Sequence, residues 1–180
     1  DTSIIEDVEE WHLLCFAHKW LGQKRVGCVA LPDFKGYKKN PEDDRGVCEA
    51  LWELLDEADI VIAHNIPFDV KKANARFAFH GFGPPSPYRT IDTLALARRF
   101  FGFSSNKLND LGMYLKLGQK TPHTGFKLWK DCMLGIKKAW ALMKRYNKQD
   151  VNLLEDLYKV FRPWMTNHPS MGAFGEDPCC

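Results

Sequence analysis

Between Lys137 and Phe161, apolar and aromatic residues recur at spacings of three and four: Met143, Tyr146, Leu153, Leu154, Leu157 and Phe161. That period predicts a long amphipathic helix. Asp150 falls on the same stripe, four residues after Tyr146 and three before Leu153. A carboxylate turned toward a core is costly unless something compensates it, and a metal ion is one such compensator. A lysine partner, or a place at the watered edge of the stripe, is the other reading. The spacing also sets the Tyr146 hydroxyl beside the Asp150 carboxylate on one helical face.

Elsewhere the pattern alternates between strand-like and helix-like. Residues 60–63 form a short continuous apolar run, as expected of a strand buried on both faces. Pro67 marks a break, and from Asp69 onward a helical period follows with Val70, Ala73, Phe77 and Ala78 on one face. Asp69 therefore stands just past a strand end, where ligands of open α/β sheets sit. It is equally placed as a first-turn acid favoured by the helix dipole. Residues 11–21 and 25–31 read as two strands joined at Gly22-Gln23, then 32–46 as a polar loop. A helix is expected over 47–57, with Leu51, Leu54 and Leu55 inward. A Gly/Pro loop over 81–87 leads to a strand at 88–91, a helix capped by Asp92 and a further helix from about Lys107. Residues 118–135 read as irregular. Antiparallel strands first and β/α alternation afterwards predict an α/β domain, a mixed sheet flanked by helices.

Composition narrows the class. The 180 residues are 45% hydrophobic, enough to bury a core in one domain. No apolar run reaches the length of a membrane span, and no secretory signal is visible. The six cysteines are scattered, which suggests free thiols in a reducing, cytoplasmic setting rather than a disulfide framework. A formal charge of +2 does not announce nucleic-acid binding, but Lys71-Lys72, Arg98-Arg99 and the lysines over 116–130 form local basic patches. Each is also an ordinary solvated face. No Gly-x-Gly-x-x-Gly or P-loop pattern follows a predicted strand, which argues against a nucleotide-binding Rossmann enzyme.

Asn65-x-x-Phe68-Asp69 resembles the second motif of the DnaQ-like (DEDD) 3′–5′ exonucleases, and Tyr146-Asn147-Lys148-Gln149-Asp150 the third motif of their tyrosine-type subgroup. The surrounding stretches Ala50-Leu51-Trp52-Glu53-Leu54-Leu55, Thr90-Ile91-Asp92-Thr93-Leu94 and Ser105-Asn106-Lys107-Leu108 resemble phage and bacterial members of that group. The resemblance implies a ribonuclease H-like fold and metal-dependent hydrolysis at nucleic-acid 3′ ends, with single-stranded DNA the expected substrate. It implies two Mg²⁺ or Mn²⁺ ions held in part by Asp69 and Asp150, with Tyr146 orienting the attacking water. Asn65 and Phe68 are then expected to shape the site, Phe68 by stacking or by packing in the core. Asn106 and Lys107 are candidates for phosphate contact, and Asp92 is left as a helix cap. Replication or repair proteins are the partners such an enzyme would meet; no membrane is implied.

One departure stands out. The family's first motif is Asp-x-Glu on a first strand, whereas this chain opens Asp1-Thr2-Ser3. The expectation is a domain over 1–165 that lacks its first strand, followed by a flexible tail over 166–180. Cys179-Cys180 could begin a zinc ribbon, although two adjacent cysteines cannot make a four-ligand site. A catalytically inactive nucleic-acid-binding domain of the same fold is the alternative.

Overall fold

In the computed structural model, residues 12–122 and 124–169 are described. The acids ahead of Trp11 and the tail from 170 onward, with Cys179-Cys180, lie outside them. The chain is α/β, with helices packed on two small sheets. Strands β1 (Cys15–His18) and β2 (Gly27–Ala30) form an antiparallel hairpin in which Cys15 faces Ala30 and His18 faces Gly27. A short 3₁₀ turn, Leu31–Asp33, and a polar stretch lead to α1 (Arg45–Glu57). Strand β3 (Ile60–Ala63) follows, then α2 (Ile66–Phe79), β4 (Arg89–Asp92) and α3 (Thr93–Phe100). β3 and β4 pair in parallel, Ile60 opposite Arg89 and Ala63 opposite Asp92. Helices α4 (Leu108–Tyr114), α5 (Phe126–Met133) and α6 (Lys137–Phe161) complete the described chain. Among its residues no helix is long and apolar enough to cross a membrane.

Four expectations need correction. Helix α2 begins at Ile66, so Pro67 lies inside its first turn instead of ending the preceding element. A proline fits there because the first-turn N–H groups have no helical acceptor. Residues 118–135 are not irregular throughout, since α5 occupies eight of them between Gly125 and Leu134. Finally, β3 is only half-buried along its length, because among the described strands it pairs with β4 alone. A single mixed sheet is likewise not what these strands build; they form two separate pairs.

α6 spans two apolar clusters. Its first half, through Ala139, Trp140 and Met143, packs with Leu128 and Cys132 of α5, Val47 of α1 and the end of the hairpin at Ala30 and Leu31. Its second half, through Leu153, Leu157 and Phe161, packs with Ala97 of α3 and Leu108 and Leu111 of α4. A third cluster joins α1 to α2 through Cys48, Leu55, Ala73 and Phe77. Cys48 and Cys132 are buried free thiols, and Cys15 and Cys28 are half-buried ones.

A buried ion pair fastens the start of the hairpin to α1 and α2. Asp44, 0% exposed, takes two hydrogen bonds from the Arg76 guanidinium at 2.8 and 2.6 Å, one from the Leu13 N–H at 2.6 Å, and lies 2.6 Å from His80 Nε2. Burial alone would raise its pKa. The hydrogen bonds from Arg76, Leu13 and His80 outweigh that and pull it down to about 2.

Two outcomes follow from this packing. Asp44 ionises more readily folded than unfolded, so its contribution is complete above about pH 5 and is lost as pH falls toward 2. It amounts to about 2 kcal/mol. In urea titrations between pH 5 and pH 2, the wild type is expected to lose that amount beyond what Asp44→Asn loses. At pH 7 Asp44→Asn should cost about 3–5 kcal/mol, because it removes the buried carboxylate charge to which the Arg76 guanidinium and the Leu13 N–H donate. In α4, a Cβ at Gly112 would stand 2.7 Å from Leu153 Cδ1 and 2.8 Å from the Gly118 carbonyl. Gly112→Ala should therefore lower stability by about 1–3 kcal/mol despite alanine's better helix propensity, measured by thermal unfolding.

Candidate active site

One carboxylate ties together the two turns that leave the parallel strands. Asp92 caps α3 by accepting the Leu94 N–H at 2.9 Å, as its sequence position indicated, and the same oxygen accepts the Asn65 N–H at 2.9 Å. Asn65 sits in the left-handed region, at φ 73 and ψ 50, immediately before α2. Asparagine tolerates that conformation better than most side chains, so Asn65 is the residue that turns the chain from β3 into α2. Phe68 is 60% exposed in the first turn, which removes the core-packing reading of its ring.

Asp69 lies in that first turn as well, acidic at the positive end of the helix dipole. The residue as a whole is exposed, yet its carboxyl is shielded on one side. That desolvation, with the negative charge of Asp92 behind it, raises its pKa. Two acids thus repel each other at the ends of β3 and β4, a repulsion that a cation would relieve.

His64, at the end of β3, was not singled out by the sequence pattern, since a lone histidine after an apolar run has no periodic signal. Its Nε2–H donates to the Asn106 carbonyl at 2.9 Å, and Nδ1 lies 2.9 Å from the Thr93 hydroxyl, which is itself 3.2 Å from the Ala63 carbonyl. Burial lowers its pKa and favours the neutral form. His64 therefore ties β3 to α3 and to the turn before α4. It is within electrostatic reach of Asp92 on one side and Lys120 on the other.

Lys120 leads to the second carboxylate. Its ammonium donates to Asp150 Oδ2 at 2.6 Å and lies 3.5 Å from the Tyr146 hydroxyl, 5.4 Å from the ring centre. The adjacency of Tyr146 and Asp150 expected from their spacing is present, and a lysine stands beside the Asp150 carboxylate. Asp150 Oδ1, however, is buried with no hydrogen-bond partner, as is Asn106 Oδ1. Burial, and then the charge of Asp150, raise the Tyr146 pKa, so its phenol stays protonated at neutral pH.

The two candidates for phosphate contact differ. Lys107 is exposed at the start of α4. Asn106 is half-buried, spends its carbonyl on His64, and turns its side-chain oxygen inward.

Asp69, Asp150 and the Asn106 side chain are each hard oxygen donors, the kind Mg²⁺ and Mn²⁺ take in preference to zinc, although among the described residues neither Asp69 nor Asp150 belongs to a group of three ligating His, Cys, Asp or Glu side chains within 4.8 Å of one another. Asp150 Oδ1 spends no hydrogen bond within the protein, so its donor capacity suits a cation once the atoms enclosing it move aside, whereas Oδ2 is already held by Lys120. A softer set, Asp44, Cys48 and His80, has its ligand atoms within 4.8 Å of one another. It does not fit an ion. Both Asp44 oxygens are filled by Arg76, Leu13 and His80, and burial with the Asp44 charge pushes the Cys48 thiol up to about 12. A metal there would have to evict an arginine and deprotonate a reluctant thiol.

Compared with known proteins, the chain matches no protein-family model and no curated protein.

Proposed function

We propose that this chain is a ribonuclease H-like 3′–5′ exonuclease domain acting on nucleic-acid 3′ ends, single-stranded DNA first among them. The observation that carries the proposal is the pairing, on one face of α6, of a protonated Tyr146 with an Asp150 carboxylate that has a buried, unpartnered oxygen. The Asp69–Asp92 repulsion at the ends of the parallel strands supports it.

Asp69 and Asp150 are the residues that would hold Mg²⁺ or Mn²⁺. Such ions lower the pKa of an attacking water and stabilise the charge that develops on a phosphodiester. The chain's own groups supply the rest. Tyr146, kept neutral, is a hydrogen-bond donor and acceptor able to orient a water rather than a base that would remove its proton. Asn65 and Asp92 fix the turn from which Asp69 projects. The exposed Phe68 ring is available to stack on a base, and Lys107 offers a point charge to phosphate. The spacing Asp7-Val8-Glu9 occurs near the start of the chain, outside the described residues, without the apolar strand that surrounds the family's first motif.

A non-catalytic nucleic-acid-binding domain is the second reading, and the Lys120–Asp150 ion pair favours it, because it neutralises a carboxylate the chemistry needs. The two are separated by incubating a 3′-labelled single strand with the chain, alone and fused to a strand bearing Asp-x-Glu, in Mn²⁺ and Mg²⁺. The expected result is metal-dependent release of mononucleotides by the fusion. In it, Asp150→Asn should abolish cleavage, and Tyr146→Phe should lower turnover by roughly 10²-fold with little change in KM. Binding of the strand without any cleavage would establish the second reading instead.

A further inference from the structure

The Lys120 ammonium is placed with more care than a chance surface ion pair requires. Its backbone N–H donates to the Asn109 side chain of α4 at 2.9 Å. Just before it, Gly118 adopts φ +127, which L side chains rarely adopt, and the Gly118 carbonyl rests against Gly112 of α4 so closely that no Cβ fits between them. The Leu117 N–H closes onto the Gly112 carbonyl at 2.9 Å. Three constraints from α4 thus deliver Lys120 to α6, where its ammonium meets Asp150 and approaches Tyr146. The lysine takes one carboxylate oxygen and leaves the other, buried, without a partner.

We propose that Lys120 is a built-in counter-cation that competes with a divalent ion for the Asp150 carboxylate, and that on ion binding its ammonium swings out on a fixed backbone. This rests on the reading of Asp150 as a metal ligand. While no ion is bound, the lysine compensates a carboxylate that burial would otherwise penalise, so α6 keeps its polar seam folded. When an ion approaches the unpartnered Oδ1, two cations share one carboxylate, and like charges at that range repel. The flexible four-carbon stem can move while Asn109 and Gly118 hold the main chain in place. The displaced ammonium then remains close to the ion, where the anionic phosphate of a substrate would sit. A lysine is suited to that second use as a mobile point charge, unlike the rigid fork of arginine.

The test is Mn²⁺ affinity, read by electron paramagnetic resonance of free Mn²⁺ and by calorimetry, on the 180-residue chain without substrate. Removing the competitor in Lys120→Met should tighten Mn²⁺ binding about two- to fivefold, the worth of a part-exposed ion pair. Lys138→Met removes an equal charge from an exposed site twelve residues along α6, about 18 Å from Asp150, and should leave affinity unchanged. In a protein labelled at lysine Cε, the Lys120 resonance should shift as Mg²⁺ is added, a response that a merely structural lysine would not give. Circular dichroism confirms that each variant is folded. If Lys120→Met binds Mn²⁺ no more tightly than Lys138→Met while Asp150→Asn binds it more weakly than wild type, competition is overturned and the metal reading stands. If Asp150→Asn binds Mn²⁺ as the wild type does, Asp150 is not a ligand and both readings fall.

Discussion

A single helix has to satisfy two apolar clusters and one carboxylate at once, and most of the molecule is arranged to let it. At 1.5 Å per residue, the 25 residues of α6 extend for about 37 Å. One end is closed by α5, α1 and the hairpin, and the other by α3 and α4. Asp150 falls at the seam between the clusters, where neither supplies a polar partner. The partner comes from α4 and the turn after it, and it arrives only because Gly112 and Gly118 permit a close approach that larger residues would block.

Three aspartates show how differently this fold treats the same group. Asp44 is saturated: four donors surround it, its pKa falls, and it acts as a fastener with no capacity left for a ligand. Asp69 is opposed, facing another acid at the ends of the parallel strands. Asp150 is half-satisfied, with one oxygen held and the other waiting. Buried polar groups that lack partners are uncommon, and where they occur they point to chemistry more often than to stability. By that criterion the fastener and the reactive candidates can be told apart without reference to their sequence neighbours.

What could be read from the chain beforehand depended on local period. The extent of α6, the misfit of Asp150 on its stripe and the nearness of Tyr146 all follow from 3.6-residue spacing, as does the Asp92 cap from its place before an apolar run. Helix α5 escaped because it is eight residues long, lies between glycines, and buries only Leu128 and Cys132 fully. The start of α2 was placed late because Pro67 looks like a breaker from sequence and behaves as a first-turn residue in the fold. Lys120 stands 30 residues from Asp150 and His64 is 42 from Asn106. No periodicity encodes such partners, for only tertiary folding brings them together. The same applies to Asp44, one acid among several in a polar loop, whose importance is set by Arg76 on a different helix.

The reach of α6 has a consequence for how the chain acquires its structure in time. The contacts that cover the hairpin come from the far end of the sequence: Lys19 pairs with Glu155, Asp33 with Lys144, and Tyr37 with Trp140, across separations of 136, 111 and 103 residues. Contacts so distant cannot form until α6 has been synthesised, and closing such loops slows folding. During synthesis the hairpin and α1 therefore wait with their apolar faces in water, exposed to chaperones and to one another. Among the described elements the helix that carries Tyr146 and Asp150 follows the sheets in sequence, so the candidate site forms only once these distant contacts close.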